Sequence, residues 1–338
     1  MKARRLLFEV PGRARWEEWE VADSPGPGEV LLEARASVIS AGTDVSIYKG
    51  THINAGNPQA RYPRYPHRPG GHVGGVVLAV GPGVEGFAPG DRVTYLGSYG
   101  THQVMEAASG RVKLLPEGVS FEEGALASHS AVGLNGVRVS GLALGETAAV
   151  FGLGLIGQYT VRYALLAGAS RVVGIDPIPE RRQAAQAAGA LVAAPGEPQL
   201  QEWFVSGLGE PGVDVAIEAT GDPTVIPQVL QATSEFGRAV LLGSPRGRVE
   251  IDPYNDLHRK GIAVIGSNPT VQTPNARYPW TREQNLRVAL SLLTAGRLSL
   301  ADLVSDRVPA EQALEVFERL AAGPRGLGVV LEWGRDGR

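Results

Sequence analysis

The chain has 338 residues, of which 43% are hydrophobic and 20% charged, with a formal net charge of −3. This is globular composition for about two domains, and its mild acidity argues against a general nucleic-acid binder. The absence of cysteine excludes disulfides, thiol nucleophiles, thiolate-bound zinc and cysteine-ligated iron–sulfur clusters.

No run approaches the roughly 18 apolar residues of a membrane span, so no membrane partner is expected. Glu9 interrupts the short apolar run at the N-terminus, and no small-residue cleavage site follows it. A secretion signal is therefore not expected, and the cytoplasm is the expected location. The first 120 residues read as β. Alternating runs such as 29–34 and 76–80 lie between turns at Pro25-Gly-Pro-Gly, Gly81-Pro-Gly and Pro89-Gly-Asp. Residues 51–70 are polar and proline-rich and carry Tyr62, Tyr65 and His67, the make-up of a lid or a disordered loop.

The pattern changes near Phe121. Apolar strands are predicted at 147–152, 171–176, 190–194, 214–220, 238–244 and 261–267, with helices at 155–167, 180–188 and 224–234 among them. Six strands with crossover helices specify a parallel, doubly wound sheet. A second proline-rich loop then precedes helices at 281–295 and 309–322 and a strand at 327–333, a tail expected to pack back on the first domain. The expected division is 1–125, 126–268 and 269–338, and no internal repeat is present.

Val150-Phe-Gly-Leu-Gly-Leu-Ile-Gly157 follows a strand and opens a helix, and the next strand ends in Asp176. In that context Gly152, Leu153, Gly154, Leu155, Ile156 and Gly157 form a dinucleotide-binding turn. Gly152 permits the turn, Gly154 lets the backbone approach a pyrophosphate, and Gly157 lets the helix pack on the strand. The helix N-terminus offers N–H donors to the phosphates. Asp176 would accept from the ribose hydroxyls and repel a ribose phosphate, which favours NAD over NADP; Arg181 and Arg182 work the other way.

Longer stretches resemble the medium-chain dehydrogenase/reductase superfamily, its zinc-type alcohol dehydrogenase group, over nearly the whole chain. They are Pro25-Gly-Pro-Gly-Glu-Val, Gly42-Thr-Asp, the run from Gly75 to Val93, the glycine turn, Glu218-Ala-Thr-Gly221 and Leu242-Gly-Ser244. The resemblance implies an α/β protein: a GroES-like β-rich catalytic domain plus a Rossmann domain, with the active site between them. It also implies a homodimer or homotetramer, and cofactor contacts at Thr220, Gly221, Gly243 and Ser244.

The departures from the family pattern concern the metal. The first zinc cysteine falls on Ala41, the zinc histidine on Gly71, and the third ligand on Ala127 or Ser128. The four-cysteine lobe of the structural zinc is absent. Ser40-Ala-Gly-Thr-Asp44 is similar to a zinc-less subgroup that includes bacteriochlorophyllide 2-hydroxyethyl dehydrogenase-like proteins. No zinc is expected.

Without the metal, a side chain must take the hydroxyl proton as hydride leaves. His72 lines the vacated position, and an imidazole suits proton transfer near neutrality. It is the expected acid/base, with Asp44 orienting it and Thr43, at the family's proton-relay position, on the substrate oxygen. His129 adjoins the lost third ligand, and His52 and His67 lie in the long loop; each is a secondary candidate. His102 stands isolated in the β region. Tyr48 reads as packing, Lys49 as a solvated charge, and Tyr278 and Trp280 as interface or packing residues. Glu17 and Glu18 with Trp16 and Trp19 read as a strand surface.

The expectation that follows from these residues and the resemblance is a zinc-independent, NAD(H)-dependent oxidoreductase. Its expected partner is a small-molecule secondary alcohol or polyol, or the corresponding carbonyl compound. Two alternatives stand beside it: an NADPH-dependent quinone or enone reductase, which Asp176 disfavours, and a non-catalytic dinucleotide-binding protein.

Overall fold

The computed structural model describes residues 1–57, 59–268, 279–323 and 326–334. These form two compact units, residues 1–129 with 286–338, and residues 130–285. The chain crosses between units inside two helices, not at the predicted joints after 125 and 268.

The first unit begins with the antiparallel ribbon β1 (Lys2–Val10) and β2 (Arg13–Glu20). One face carries Arg5 over Trp19 at 4.2 Å, with Glu17 accepting from Arg5 and Arg68, and the other carries Arg4 over Trp16 at 5.2 Å. Next come β3 (Glu29–Val38), the helix α1 (Ala41–Tyr48), β4 (Gly70–Val80), β5 (Arg92–Ser98), β6 (His102–Glu106) and β7 (Val112–Leu114). Helix α2 (Phe121–Ser140) leads into the second unit.

The second unit contains β8 (Thr147–Phe151), α3 (Leu155–Leu166), β9 (Arg171–Ile175), α4 (Pro179–Ala187), β10 (Leu191–Ala193), α5 (Gln199–Trp203), β11 (Val213–Glu218), α6 (Ile226–Ala232), β12 (Thr233–Leu241) and β13 (Ala263–Gly266). Its six strands are all parallel, in the order β10-β9-β8-β11-β12-β13. That is the doubly wound order, with its switch point between β8 and β11. All five residues of β8 are buried, as expected of a strand covered on both faces.

Helix α7 (Arg282–Thr294) returns the chain, which adds β14 (Val304–Pro309), α8 (Ala313–Ala322) and β15 (Gly328–Glu332) to the first unit. The first unit's main sheet runs β14-β15-β3-β4-β5-β7, with β6 also on β3. Phe317 of α8 is fully buried, 5.0 Å from the Phe8 ring and 6.0 Å from that of Tyr48. This contact anchors the tail on the core around α1.

Several elements differ from the sequence reading. α1 lies in a region read as β throughout. β12 starts at Thr233, where helix was predicted to 234; Thr233 turns extended, and its hydroxyl takes up the Val229 carbonyl at the end of α6. β14 was not predicted, and the helix expected from 309 begins as α8 at Ala313. Among the described residues no helix is long and apolar enough to cross a membrane.

Candidate functional site

In the second unit, four loops meet at the carboxyl ends of β8, β9, β11 and β12, where a doubly wound sheet places its ligand. Gly152 ends the first loop with φ +91, and a Cβ there would lie 2.7 Å from the Thr220 side chain and 2.9 Å from the Thr220 nitrogen. A Cβ on Gly157 would stand 1.8 Å from the Gly152 carbonyl oxygen, so the turn closes only over glycine. Gly154 differs. The nearest atom to its Cβ position is Arg181 Nη1, at 4.0 Å. This is the open approach a phosphate needs, at the N-terminus of α3, with the helix's first N–H groups unclaimed by its own backbone.

Two buried carboxylates hold these loops. Asp176 accepts from the Leu153 and Ile178 N–H groups, both at 2.8 Å, and Arg181 lies 3.6 Å from it. Arg182 turns instead to the Asp176 carbonyl, at 2.7 Å. Glu218 is fully buried and accepts from the Thr220 N–H and hydroxyl at 2.6 Å, the Gly221 N–H at 2.7 Å and the Gly243 N–H at 3.2 Å. These bonds draw Thr220, Gly221 and Gly243 together, and Ser244 follows at a strained φ of +56. All twelve predicted cofactor residues thus lie on these loops or on the helix starts beside them. The role of Glu218 was missed, although its motif was noted. A carboxylate one residue before Ala-Thr-Gly at a strand end is the signal.

In the first unit, α1 presents Thr43 and Asp44. Thr43 is half-buried in the first turn, and among the described residues its hydroxyl has no partner in the protein. Asp44 is 2% exposed. Its Oδ2 accepts from the Tyr99 hydroxyl at 2.6 Å and from the Ser40 N–H at 3.2 Å. Burial pushes the Asp44 carboxyl up to about 7, although both hydrogen bonds pull it down. Burial, with the Asp44 charge beside it, drives the Tyr99 phenol well above its ordinary range.

His72 sits on β4, opposite Val38 and Leu96, and is buried. Its Nδ1 is 2.8 Å from the Ser128 hydroxyl, and its ring centroid is 4.8 Å from that of His129. Successive strand residues face opposite sides. His72 therefore faces Ser128 and His129 on α2, while the Cβ position of Gly71 faces Tyr99, 3.1 Å from its hydroxyl. The expected pairing of Asp44 with His72 is replaced by two others, Asp44 with Tyr99 and His72 with Ser128. Tyr99 was not anticipated; Ser128 was noted only as a lost ligand position.

The remaining candidates lie elsewhere. Tyr48 is buried and donates to the Gly12 carbonyl at 3.1 Å, and Lys49 is exposed. His52 and His67 flank Tyr62, at 5.8 and 5.3 Å between ring centroids. Burial, then the nearby His52, lowers His67 from its ordinary value. His102 lies opposite Glu33 on β3, and burial lowers it as well. Trp280 packs under Arg138 at 3.7 Å. Tyr278 lies outside the described residues.

Comparison with known proteins follows the same division. Residues 26–140 match the family described as alcohol dehydrogenase GroES-like domain, and residues 156–278 the one described as zinc-binding dehydrogenase. Sorbitol dehydrogenase of Macaca fascicularis is 30% identical over 97% of this chain and 95% of its own. (R,R)-butanediol dehydrogenase of Bacillus subtilis is 35% identical, over 57% of this chain and 62% of that protein. The crystal structure of 2R,3R-butanediol dehydrogenase from Bacillus subtilis superposes with a TM-score of 0.79 at 26% identity, covering 98% of this chain and 99% of that one.

Two outcomes follow from this geometry. Gly154→Ala is expected to melt like the parent chain but to bind NADH about tenfold more weakly, whereas Gly157→Ala is expected to lose about 1–3 kcal/mol of stability, read by thermal melting and NADH fluorescence titration. For Asp44, the fold raises the carboxyl from its ordinary 3.8 to about 7, so its contribution to stability is complete below 3.8 and is lost as pH rises through about 7. Asp44→Asn is therefore expected to gain stability relative to the parent from about pH 4 to 8, then level off, in denaturant titrations across pH.

Proposed function

The chain belongs to the medium-chain dehydrogenase/reductase superfamily, as an oxidoreductase of its alcohol dehydrogenase group, and from that premise we propose that it interconverts a secondary alcohol or polyol and the matching ketone, using NAD and no zinc. The printed names of its relatives, sorbitol and butanediol dehydrogenase, support that substrate class. The observation that carries the zinc-free part is what stands at the three zinc-ligand positions. Ala41 and Gly71 offer no side-chain donor, and the room beside Gly71 holds the Tyr99 hydroxyl. At the third, Ala127 has no donor and the Ser128 hydroxyl is engaged with His72. These residues do not fit a zinc ion, and no step is routed through one.

The second unit's loops do fit a dinucleotide. The open face of Gly154 and the α3 N-terminus suit the pyrophosphate, and Asp176 suits the ribose hydroxyls. A phosphate on that ribose would meet the Asp176 charge, which supports NAD; the nearby Arg181 offsets part of that charge. When bound, the dinucleotide supplies the hydride acceptor for oxidation and the donor for reduction.

The protein's own residues handle the proton and the oxygen. His72 takes the hydroxyl proton in oxidation and returns it in reduction. The Ser128 hydroxyl, 2.8 Å from Nδ1, holds the imidazole ring in its orientation. The Thr43 hydroxyl, without a protein partner among the described residues, is available to hydrogen-bond the substrate oxygen. His129, on α2, sets a second imidazole beside His72, with ring centroids 4.8 Å apart.

A panel of secondary alcohols and polyols with NAD tests this reading. His72→Gln is expected to lower kcat about 100-fold or more, the ordinary worth of a general acid/base, with NADH binding unchanged. Full turnover by that variant at every pH would remove His72 from the mechanism. NADH binding without turnover of any alcohol or ketone would leave a dinucleotide-binding protein.

A further inference from the structure

We propose that Tyr99 is the positioning residue of the first unit's site: its hydroxyl occupies the room that a side chain at 71 would take and holds the Asp44 carboxyl, fixing the start of α1 and Thr43 upon it. The proposal rests on the reading of Thr43 and Asp44 as parts of the site.

Tyr99 is well suited to such a role. It lies in the connection between β5 and β6 and is fully buried. Both its backbone groups are tied down: the N–H donates to the Pro69 carbonyl at 3.1 Å, and the carbonyl accepts from the Leu6 N–H at 2.8 Å. Its ring packs toward Phe317, with centroids 6.3 Å apart. The hydroxyl is thus delivered to one place by a side chain with no room to swing away.

At that place it has three polar neighbours. They are Asp44 Oδ2 at 2.6 Å, the Val38 carbonyl at 3.1 Å and the Ser40 N–H at 3.3 Å. A phenol has one proton and accepts through oxygen lone pairs. The short distance gives the proton to Asp44, and the oxygen accepts from Ser40. The same Ser40 N–H also reaches Asp44 Oδ2, at 3.2 Å. Ser40 precedes the first residue of α1, and its own side chain makes no capping bond. The tyrosine and the aspartate therefore accept the N–H of the N-cap residue, as the returning side chain of a capping box does elsewhere, and hold the turn that carries Thr43.

Gly71 completes the argument. A Cβ there would sit 3.1 Å from the hydroxyl oxygen, closer than a methyl group and an oxygen normally approach. It would also lie 3.7 Å from the Val38 carbonyl. The glycine and the tyrosine belong to one arrangement, because a Cβ at 71 requires the hydroxyl that Asp44 depends on to give way by a few tenths of an ångström.

The test is a double-mutant cycle on the full chain with Tyr99→Phe, Gly71→Ala and the pair. Asp44 ionisation is followed by carboxyl carbon NMR, kcat and KM are measured with the best alcohol found, and NADH binding serves as the control. Tyr99→Phe removes a bond that favours the carboxylate, so the Asp44 midpoint is expected to move up from about 7. Its kcat is expected to fall about tenfold with NADH binding unchanged. Gly71→Ala is expected to shift Asp44 the same way alone and to add little once Tyr99 is phenylalanine. An unmoved Asp44 midpoint in Tyr99→Phe, or effects that simply add, would overturn the proposal. If Tyr99→Phe fails to fold, the Asp44 shift in Gly71→Ala decides. Wild-type chain that turns over no alcohol would sink the functional reading but leave the NMR cycle to judge Tyr99.

Discussion

A carboxylate removed from water must be met by donors, and three buried carboxylates shape both units of this protein around that requirement. Asp44, Asp176 and Glu218 are exposed by 2%, 3% and 0%. Asp44 is met by a tyrosine hydroxyl and one N–H, Asp176 by two N–H groups and a guanidinium, and Glu218 by three N–H groups and a hydroxyl. Each set of donors comes from a turn that must bend to deliver it. The bent turns are the ones that carry Thr43, the glycine-rich loop and the Thr220–Gly221 pair. A substitution at any of these acids removes the acceptor that its turn is bent around.

The first unit shows the same kind of pairing at positions 71 and 128. At position 71 the side chain is missing, and Tyr99 fills the space from a neighbouring connection. At position 128 a serine hydroxyl meets a histidine that the strand's alternation turns toward α2. Tyr99 with Asp44, and His72 with Ser128, thereby find partners in one another.

Much of this was legible in the sequence, and the misses have physical causes. The second unit was readable because buried parallel strands are short apolar runs, and because Gly152, Gly154 and Gly157 carry meaning at fixed spacing beside Asp176. The family resemblance added the β-rich first domain and the emptied ligand positions. α1 was not readable: its eight residues, Ala-Gly-Thr-Asp-Val-Ser-Ile-Tyr, include several poor helix formers and follow a long run of strands. The helix is held by the bonds at Ser40 and by burial of Ile47 and Tyr48, neither of which a local pattern reveals. Tyr99 was invisible for a related reason, since it lies 28 residues beyond Gly71 and meets Asp44 only through sheet topology. His72 stood out in the sequence, but which face of β4 it takes depends on register, and the hydroxyl beside its Nδ1 is that of Ser128.

The most direct measurement of the central claim is NAD-coupled oxidation of secondary alcohols and polyols by a sample stripped with a strong chelator, with zinc content determined on that same sample. The account predicts turnover undiminished by chelation, with zinc far below one atom per chain. Activity that disappears on chelation and returns with added zinc would contradict it, and would mean that the chain holds a metal through residues other than those at 41, 71, 127 and 128.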